Sequence, residues 1–256
     1  MGILTGEEGD PVALENTSVR GRIVLVCEHA SRVLPKAVGT LGLSEDALAS
    51  HIAWDPGALA VSRLLARKLD ATLIFQRFSR LVYDCNRPPE SPAAMPAKSE
   101  VFDVPGNAGL DKAARDARTE ALYLPFRAAL SNLVKSRIAE GRPPVIVTMH
   151  SFTPIYFGKP RAVEIGILHD SDSRLADAML AAAERSDGRY DVRRNEPYGP
   201  QDGVTHTLRE HALANGLANV MIEVRNDLVR DEAGENAVAD YLAGLLVEGL
   251  SSPQLR

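Results

Sequence analysis

Pro144-Val145-Ile146-Val147-Thr148-Met149 runs without a break into His150-Ser151-Phe152. A short, continuous, β-branched apolar run reads as a strand covered on both faces, and such strands belong to parallel sheets. Four more runs have the same character: Gly21-Arg22-Ile23-Val24-Leu25-Val26, Ala71-Thr72-Leu73-Ile74-Phe75, Val163-Glu164-Ile165-Gly166-Ile167-Leu168 and Ala218-Asn219-Val220-Met221-Ile222-Glu223. Segments of helical period separate them, at 43–50, 57–69, 110–140, 173–186 and 233–247, with a break or kink expected at Pro125 because proline lacks the N–H that a helix interior needs. This alternation predicts a three-layer α/β/α sandwich, with helices on both faces of a mostly parallel mixed sheet. One domain over 1–256 is expected, with 1–20 as a poorly structured N-terminal extension.

The composition is that of an ordinary globular protein: 256 residues, 45% hydrophobic and 25% charged. A net charge of −5 disfavours a polyanionic partner, so nucleic acid is not expected. Two cysteines, Cys27 and Cys85, provide no disulfide framework, and no apolar window approaches the ~18 residues that span a bilayer. A cytoplasmic protein that binds no membrane is the expectation.

Punctuation between the elements is clear. Asp55-Pro56-Gly57 offers an N-cap followed by proline at the first helical position, and Ser44-Glu45-Asp46 and Ser171-Asp172-Ser173 offer further caps. Residues 86–109 carry five prolines and no periodicity, which predicts a long irregular loop covering the site. Residues 195–203 form a second such loop.

In open α/β sheets ligands bind beyond the carboxyl ends of the strands. Here those ends are polar: Cys27-Glu28-His29-Ala30-Ser31, His150-Ser151-Phe152 and Glu223-Val224-Arg225-Asn226. A catalytic zinc, or another divalent metal, explains the set economically, since it takes three His or carboxylate ligands and leaves one position open. His29 and His150 are the natural ligands. Asp55 is the preferred third, although it could simply cap a helix. Glu28 is the reserve, because consecutive strand residues point to opposite faces. In Ser79-Arg80-Leu81-Val82-Tyr83-Asp84-Cys85-Asn86-Arg87 the arginine fork and the adjacent amide read as a cradle for an anionic substrate group, with Arg80 as a second guanidinium. Paired, solvated arginines at a strand end are the plainer alternative. His51, His169, His206 and His211 carry less weight.

Asp84-Cys85-Asn86-Arg87, His150-Ser151-Phe152 and Ile222-Glu223-Val224-Arg225 resemble three ordered signatures of the zinc carboxypeptidases. More closely, Cys27-Glu28-His29-Ala30-Ser31, His51-Ile52-Ala53-Trp54-Asp55, the 79–87 string, Pro105-Gly106-Asn107 and Asn195-Glu196-Pro197-Tyr198 resemble the N-formylglutamate amidohydrolase family. The likeness runs from about residue 22 to 247. It implies a phosphorylase/hydrolase-like, zinc carboxypeptidase-like fold. It also implies a metal-dependent amidohydrolase whose partner is a small N-acyl amino acid, N-formyl-L-glutamate giving formate and glutamate. By match, His29 and His150 become zinc ligands, Glu223 the general base and acid, and Asn86 and Arg87 the carboxylate clamp; in a consistent chemistry Arg80, with the zinc, stabilises the oxyanion. Ser151 and Arg225, which belong to the matched strings, join the substrate-binding set.

There are departures. Carboxypeptidases place a glutamate ligand three residues after the first histidine, where this chain has Arg32; Asp55 is the proposed substitute. Two competing readings follow from the residues: a cysteine-dependent amidohydrolase using Cys27 or Cys85 beside His29 or His150, and a non-catalytic binding protein that keeps the pocket without a metal.

Overall fold

In the computed structural model, which describes residues 2–255, the 144–152 stretch becomes the longest strand of a seven-stranded sheet and is buried at every position. The sheet strands are β1 (Val12–Glu15), β2 (Ile23–Cys27), β3 (Thr72–Gln76), β4 (Val145–Phe152), β5 (Ile165–Leu168), β6 (Val192–Arg194) and β7 (Asn219–Arg225). Their order is β1-β3-β2-β4-β7-β5-β6. Neighbours are parallel except for β1 against β3 and β5 against β7, which makes the sheet mostly parallel and mixed.

Alternation along the strands builds two cores. Ile23, Leu25 and Cys27 of β2 and Val145, Val147 and Met149 of β4 pack with Leu65, Met179 and Leu242. These last three belong to the helices α2 (Ala58–Lys68), α5 (Arg174–Arg185) and α6 (Glu232–Leu250). Val24, Val26 and Ile146 point the other way, onto Phe126, Leu130 and Val134 of α4 (Leu124–Ala139). Both faces of the sheet are therefore covered, and each fully buried branched side chain contributes roughly 1.5–3 kcal/mol. Two shorter helices complete the set, α1 (Glu45–Ala49), capped by Ser44, and α3 (Lys112–Arg118). Among the described residues no helix is long and apolar enough to cross a membrane.

Three expectations need correction. The 1–20 stretch is not structureless, since β1 lies within it and pairs antiparallel with β3, Val12 opposite Gln76. Of the break or kink expected at Pro125, the 110–140 segment shows no break in helical structure, but its regular α-helix is interrupted just before the proline. A π turn at Thr119–Tyr123 precedes it, with the Leu124 N–H bonded to the Thr119 carbonyl, and this wider turn accommodates the missing donor while helical geometry continues. Finally, α2 begins at Ala58 after Gly57, not with proline at its first position under an Asp55 cap. Gly57 has a φ of +78°, and a Cβ there would lie 2.4 Å from Val229 Cγ2, so glycine makes the turn and frees Asp55 to face elsewhere.

Candidate active site

Glu28 and His29 follow the end of β2, while His150 and Glu223 sit near the carboxyl ends of β4 and β7. His150 and Glu223 are register partners on adjacent parallel strands and point to the same side. Asp55 arrives from the turn before α2, where its N–H donates to the His29 carbonyl at 2.9 Å. His29 Nδ1, Asp55 Oδ2 and His150 Nδ1 then converge: the two nitrogens are 3.2 Å apart, and the oxygen is 3.2 Å from His29 and 2.9 Å from His150. All three residues are buried.

The cluster has the dimensions of a metal site. Four ligands at about 2.0–2.1 Å around a tetrahedral ion are separated by roughly 3.3 Å, close to the spacings found. The rear of each ring is also supported. His29 Nε2 meets Asp84 Oδ1 at 2.7 Å, and His150 Nε2 lies 3.2 Å from Glu28 Oε2, near enough for charge pairing but off the line of a hydrogen bond. Carboxylates behind ligating histidines fix ring orientation and raise basicity. Four buried carboxylates, Glu28, Asp55, Asp84 and Glu223, face one partly buried guanidinium, Arg80. With the imidazoles neutral, as metal ligands must be, that excess of negative charge is expensive to bury and a divalent cation would offset it; without an ion the imidazoles themselves take up the charge.

The electrostatics follow from this crowding. Burial opposes the charged form of His150, yet Glu28 and Asp55 overcome it and hold the imidazole well above its ordinary range. Burial likewise works against ionised Asp55, but His29 and His150 keep that carboxyl far below the usual range. Glu223 behaves differently: burial, with the Asp55 charge adding to it, pushes the carboxyl up to about 7 against the opposing pull of His150, His29 and Arg80. Its Oε2 is buried without a hydrogen-bond partner.

A cavity of about 560 Å³ opens over the cluster. His29, Asp55, Arg80, Asn86, Arg87, His150, Ser151 and Glu223 all reach it, so eight of the nine site residues expected from sequence meet there. Arg225 does not. Its guanidinium is held by Asp227 at 2.7 Å, by Glu164 at 3.2 Å and by the carbonyls of Arg161 and Ala162. A substrate-binding role for Arg225 is corrected accordingly to anchoring the 161–164 segment.

Asn86 also differs from a free clamp. Its amide nitrogen donates to the Val204 carbonyl at 2.6 Å and its oxygen accepts from the Thr207 N–H at 3.0 Å, so the side chain ties the 204–207 segment to the wall. Ser151 Oγ donates to the Pro56 carbonyl at 2.7 Å and holds the Asp55 turn in place. Arg80 bridges Asp55 at 3.3 Å and Asp84 at 2.6 Å. The reserve ligand Glu28 lies behind His150, away from the three converging atoms. Arg32 stands over the Trp54 ring at 5.9 Å from its centroid, and Asp55 completes the cluster instead. Both thiols are buried, and desolvation drives each above its ordinary pKa; neither Cys27 nor Cys85 reaches the cavity, which removes the cysteine nucleophile.

Both expected loops contribute walls. Ser99 and Glu100 come from 86–109, and Pro197, Tyr198 and Asp202 from 195–203. The second loop crosses β5 at Gly166, where a Cβ would lie 1.9 Å from the Glu196 carbonyl oxygen; only glycine permits that approach. The residue that sequence reasoning missed is Arg161, which lines the cavity from the end of a two-stranded ribbon, Ile155–Tyr156 against Lys159–Pro160. A guanidinium within a run of aromatic residues, Phe152, Tyr156 and Phe157, was the available signal.

A covered, mostly parallel sheet carrying a buried His-Asp-His cluster and an unpaired glutamate at its carboxyl edge defines an α/β protein of hydrolytic type. The N-formylglutamate amidohydrolase model matches residues 21–230, and the chain belongs to that family of hydrolases. The crystal structure of gene product Atu2144 from Agrobacterium tumefaciens is similar at 61% identity, over 97% of this chain and 98% of that one, with a TM-score of 0.95. The N-formylglutamate amidohydrolase from Ralstonia eutropha JMP134 shares the fold at 18% identity, over 93% of this chain and 97% of that one, with a TM-score of 0.62. No protein of curated function matches the chain.

Proposed function

We propose that the protein is a metal-dependent amidohydrolase that removes the N-acyl group, formyl in the first instance, from an acidic amino acid such as N-formyl-L-glutamate. The observation that carries the reading is the convergence of His29 Nδ1, Asp55 Oδ2 and His150 Nδ1 beside a glutamate on the neighbouring strand. A divalent cation such as Zn²⁺ held by these three would act as a Lewis acid toward the acyl carbonyl and lower the pKa of water toward ~7.

The remaining work falls to side chains. Glu223, whose Oε2 has no competing hydrogen bond, accepts the proton of the attacking water and delivers it to the departing amine nitrogen. The C–N bond breaks, water supplies the oxygen of the released carboxylate, and the free amino acid leaves. Arg80, fixed between Asp55 and Asp84, presents its remaining edge toward the developing oxyanion. Arg87 holds a substrate carboxylate.

The test is hydrolysis of a panel of N-formyl and N-acetyl amino acids by protein stripped with a chelator and reloaded with Zn²⁺, Co²⁺ or Mn²⁺. Release of formate from N-formylglutamate that depends on metal is the expected result. Failure to cleave any N-acyl amino acid under all three metals would overturn the reading.

A further inference from the structure

Three guanidinium groups reach the cavity, and their partners differ. Arg80 is neutralised by two carboxylates. Among the described residues neither Arg87 nor Arg161 makes an ion pair. Arg87 Nη1 donates only to the Asn86 carbonyl, at 2.8 Å, and Arg161 Nη1 only to the Tyr198 hydroxyl, at 2.9 Å. In a chain of net charge −5 two unpaired cations inside one cavity are a local field for anions.

Arg161 is also held in place. Its guanidinium carbon stands 4.3 Å from the ring centroid of Tyr156, 4.8 Å from that of Tyr198 and 5.6 Å from that of Phe152. The guanidinium carbon lies over these rings, and among the described residues Nε and Nη2 make no hydrogen bond. Behind it, Arg225 donates to the Arg161 and Ala162 carbonyls, and the Arg161 N–H closes the ribbon on the Pro154 carbonyl at 2.8 Å. A planar fork whose rotamer is fixed beforehand loses little entropy on binding, and its free edge matches the two oxygens of a carboxylate.

We infer that Arg161, caged by Tyr156, Tyr198 and Phe152 and anchored by Arg225, is a specificity-determining residue that reads a second carboxylate, Arg87 holding the first, so that the cavity selects N-acyl dicarboxylic amino acids. This rests on the hydrolytic reading above. Arg225 acts only through the segment it anchors and is a positioning residue.

The experiment compares metal-loaded wild type, Arg161→Gln and Arg161→Lys on three substrates: N-formyl-L-glutamate, N-formyl-L-glutamine and the α-amide of N-formyl-L-glutamate. Wild type should prefer the diacid to each monoamide by about 100-fold or more in kcat/KM, the scale of a lost charged hydrogen-bond pair. Arg161→Gln should erase the preference over one monoamide and keep it over the other, with Arg161→Lys recovering part of it. An equal drop on all three substrates overturns the assignment. Glutarate binding by calorimetry separates this inference from the hydrolytic reading. Binding about 10-fold or more weaker in Arg161→Gln supports the carboxylate site even if no N-acyl substrate turns over, whereas equal affinity overturns it.

Discussion

His150 and Glu223 stand side by side, register partners on adjacent parallel strands near the carboxyl edge of the sheet, and both are buried there. One ring nitrogen of His150 belongs to the His-Asp-His cluster, while Glu223 belongs to no pair, its Oε2 buried and free. A sheet can set a proposed metal ligand beside a proposed base in this way without any special loop, because neighbouring strands lie about 4.8 Å apart.

Glu223→Gln keeps the shape and removes the proton acceptor. The expected outcome is a fall in kcat of about 10²–10⁴-fold, the range of general acid–base catalysis, with one equivalent of metal still bound. Steady-state kinetics with metal analysis of the same sample checks it. Normal turnover, or loss of the metal, would count against a proton-transfer role.

Asp55 and Glu28 occupy different layers around the histidines, and their amide variants should separate. Glu28→Gln weakens the support behind His150, for which about a 10–100-fold loss of metal affinity is expected. Asp55→Asn replaces the anionic ligand by a neutral amide and should cost more than that. Competition titration with a chromophoric chelator ranks the two, and the reverse order would make Glu28 the third ligand.

Metal should also stabilise the fold, because a cation that binds only the native state adds about 2.7 kcal/mol at 100 times its Kd. Stripping with a chelator is expected to lower Tm and Zn²⁺ to restore it. In Glu223→Gln the response should persist, since that residue is not a proposed ligand.

Much of this was legible in the sequence because strand ends carry it. Three apolar runs each end in His or Glu, and a parallel sheet must bring those ends to one edge. Asp55 was legible through the His51-to-Asp55 string, while its company with proline and glycine suggested a cap; that capping reading failed because Gly57, with a φ of +78°, starts the helix and lets the carboxylate turn inward. Asn86 was located correctly in the cavity wall, but hydrogen bonds to Val204 and Thr207, more than a hundred residues away, commit its amide. No local pattern encodes such partners. Arg161 had a local signal in Phe152 and Tyr156, but its cage closes only with Tyr198 of the distant 195–203 loop.

Gly166→Ala tests how the second loop is held. A Cβ would strike the Glu196 carbonyl oxygen, which is backbone and cannot rotate away, so the loop carrying Tyr198 must shift. About 1–3 kcal/mol of destabilisation is expected from the overpacking, together with a raised KM for the diacid. Urea unfolding and kinetics read the two effects, and an unchanged KM would show that Tyr198 does not depend on this crossing.

His211 gives the acid limb of stability away from the cluster. It is buried against the α4 side of the sheet, its Nδ1 3.4 Å from Ser131 Oγ, and burial lowers its pKa to about 4. The unfolded chain binds that proton near 6.5 and the folded chain only near 4, so stability is complete above about pH 6.5 and declines as the pH falls through that window. Between pH 7 and pH 5 the loss attributable to this one residue is about 2 kcal/mol. Urea midpoints of wild type and His211→Gln, measured at both pH values, should therefore differ in slope by about that amount, with the variant the less sensitive to acid. Parallel slopes would mean that His211 protonates in the folded protein as readily as in the unfolded chain.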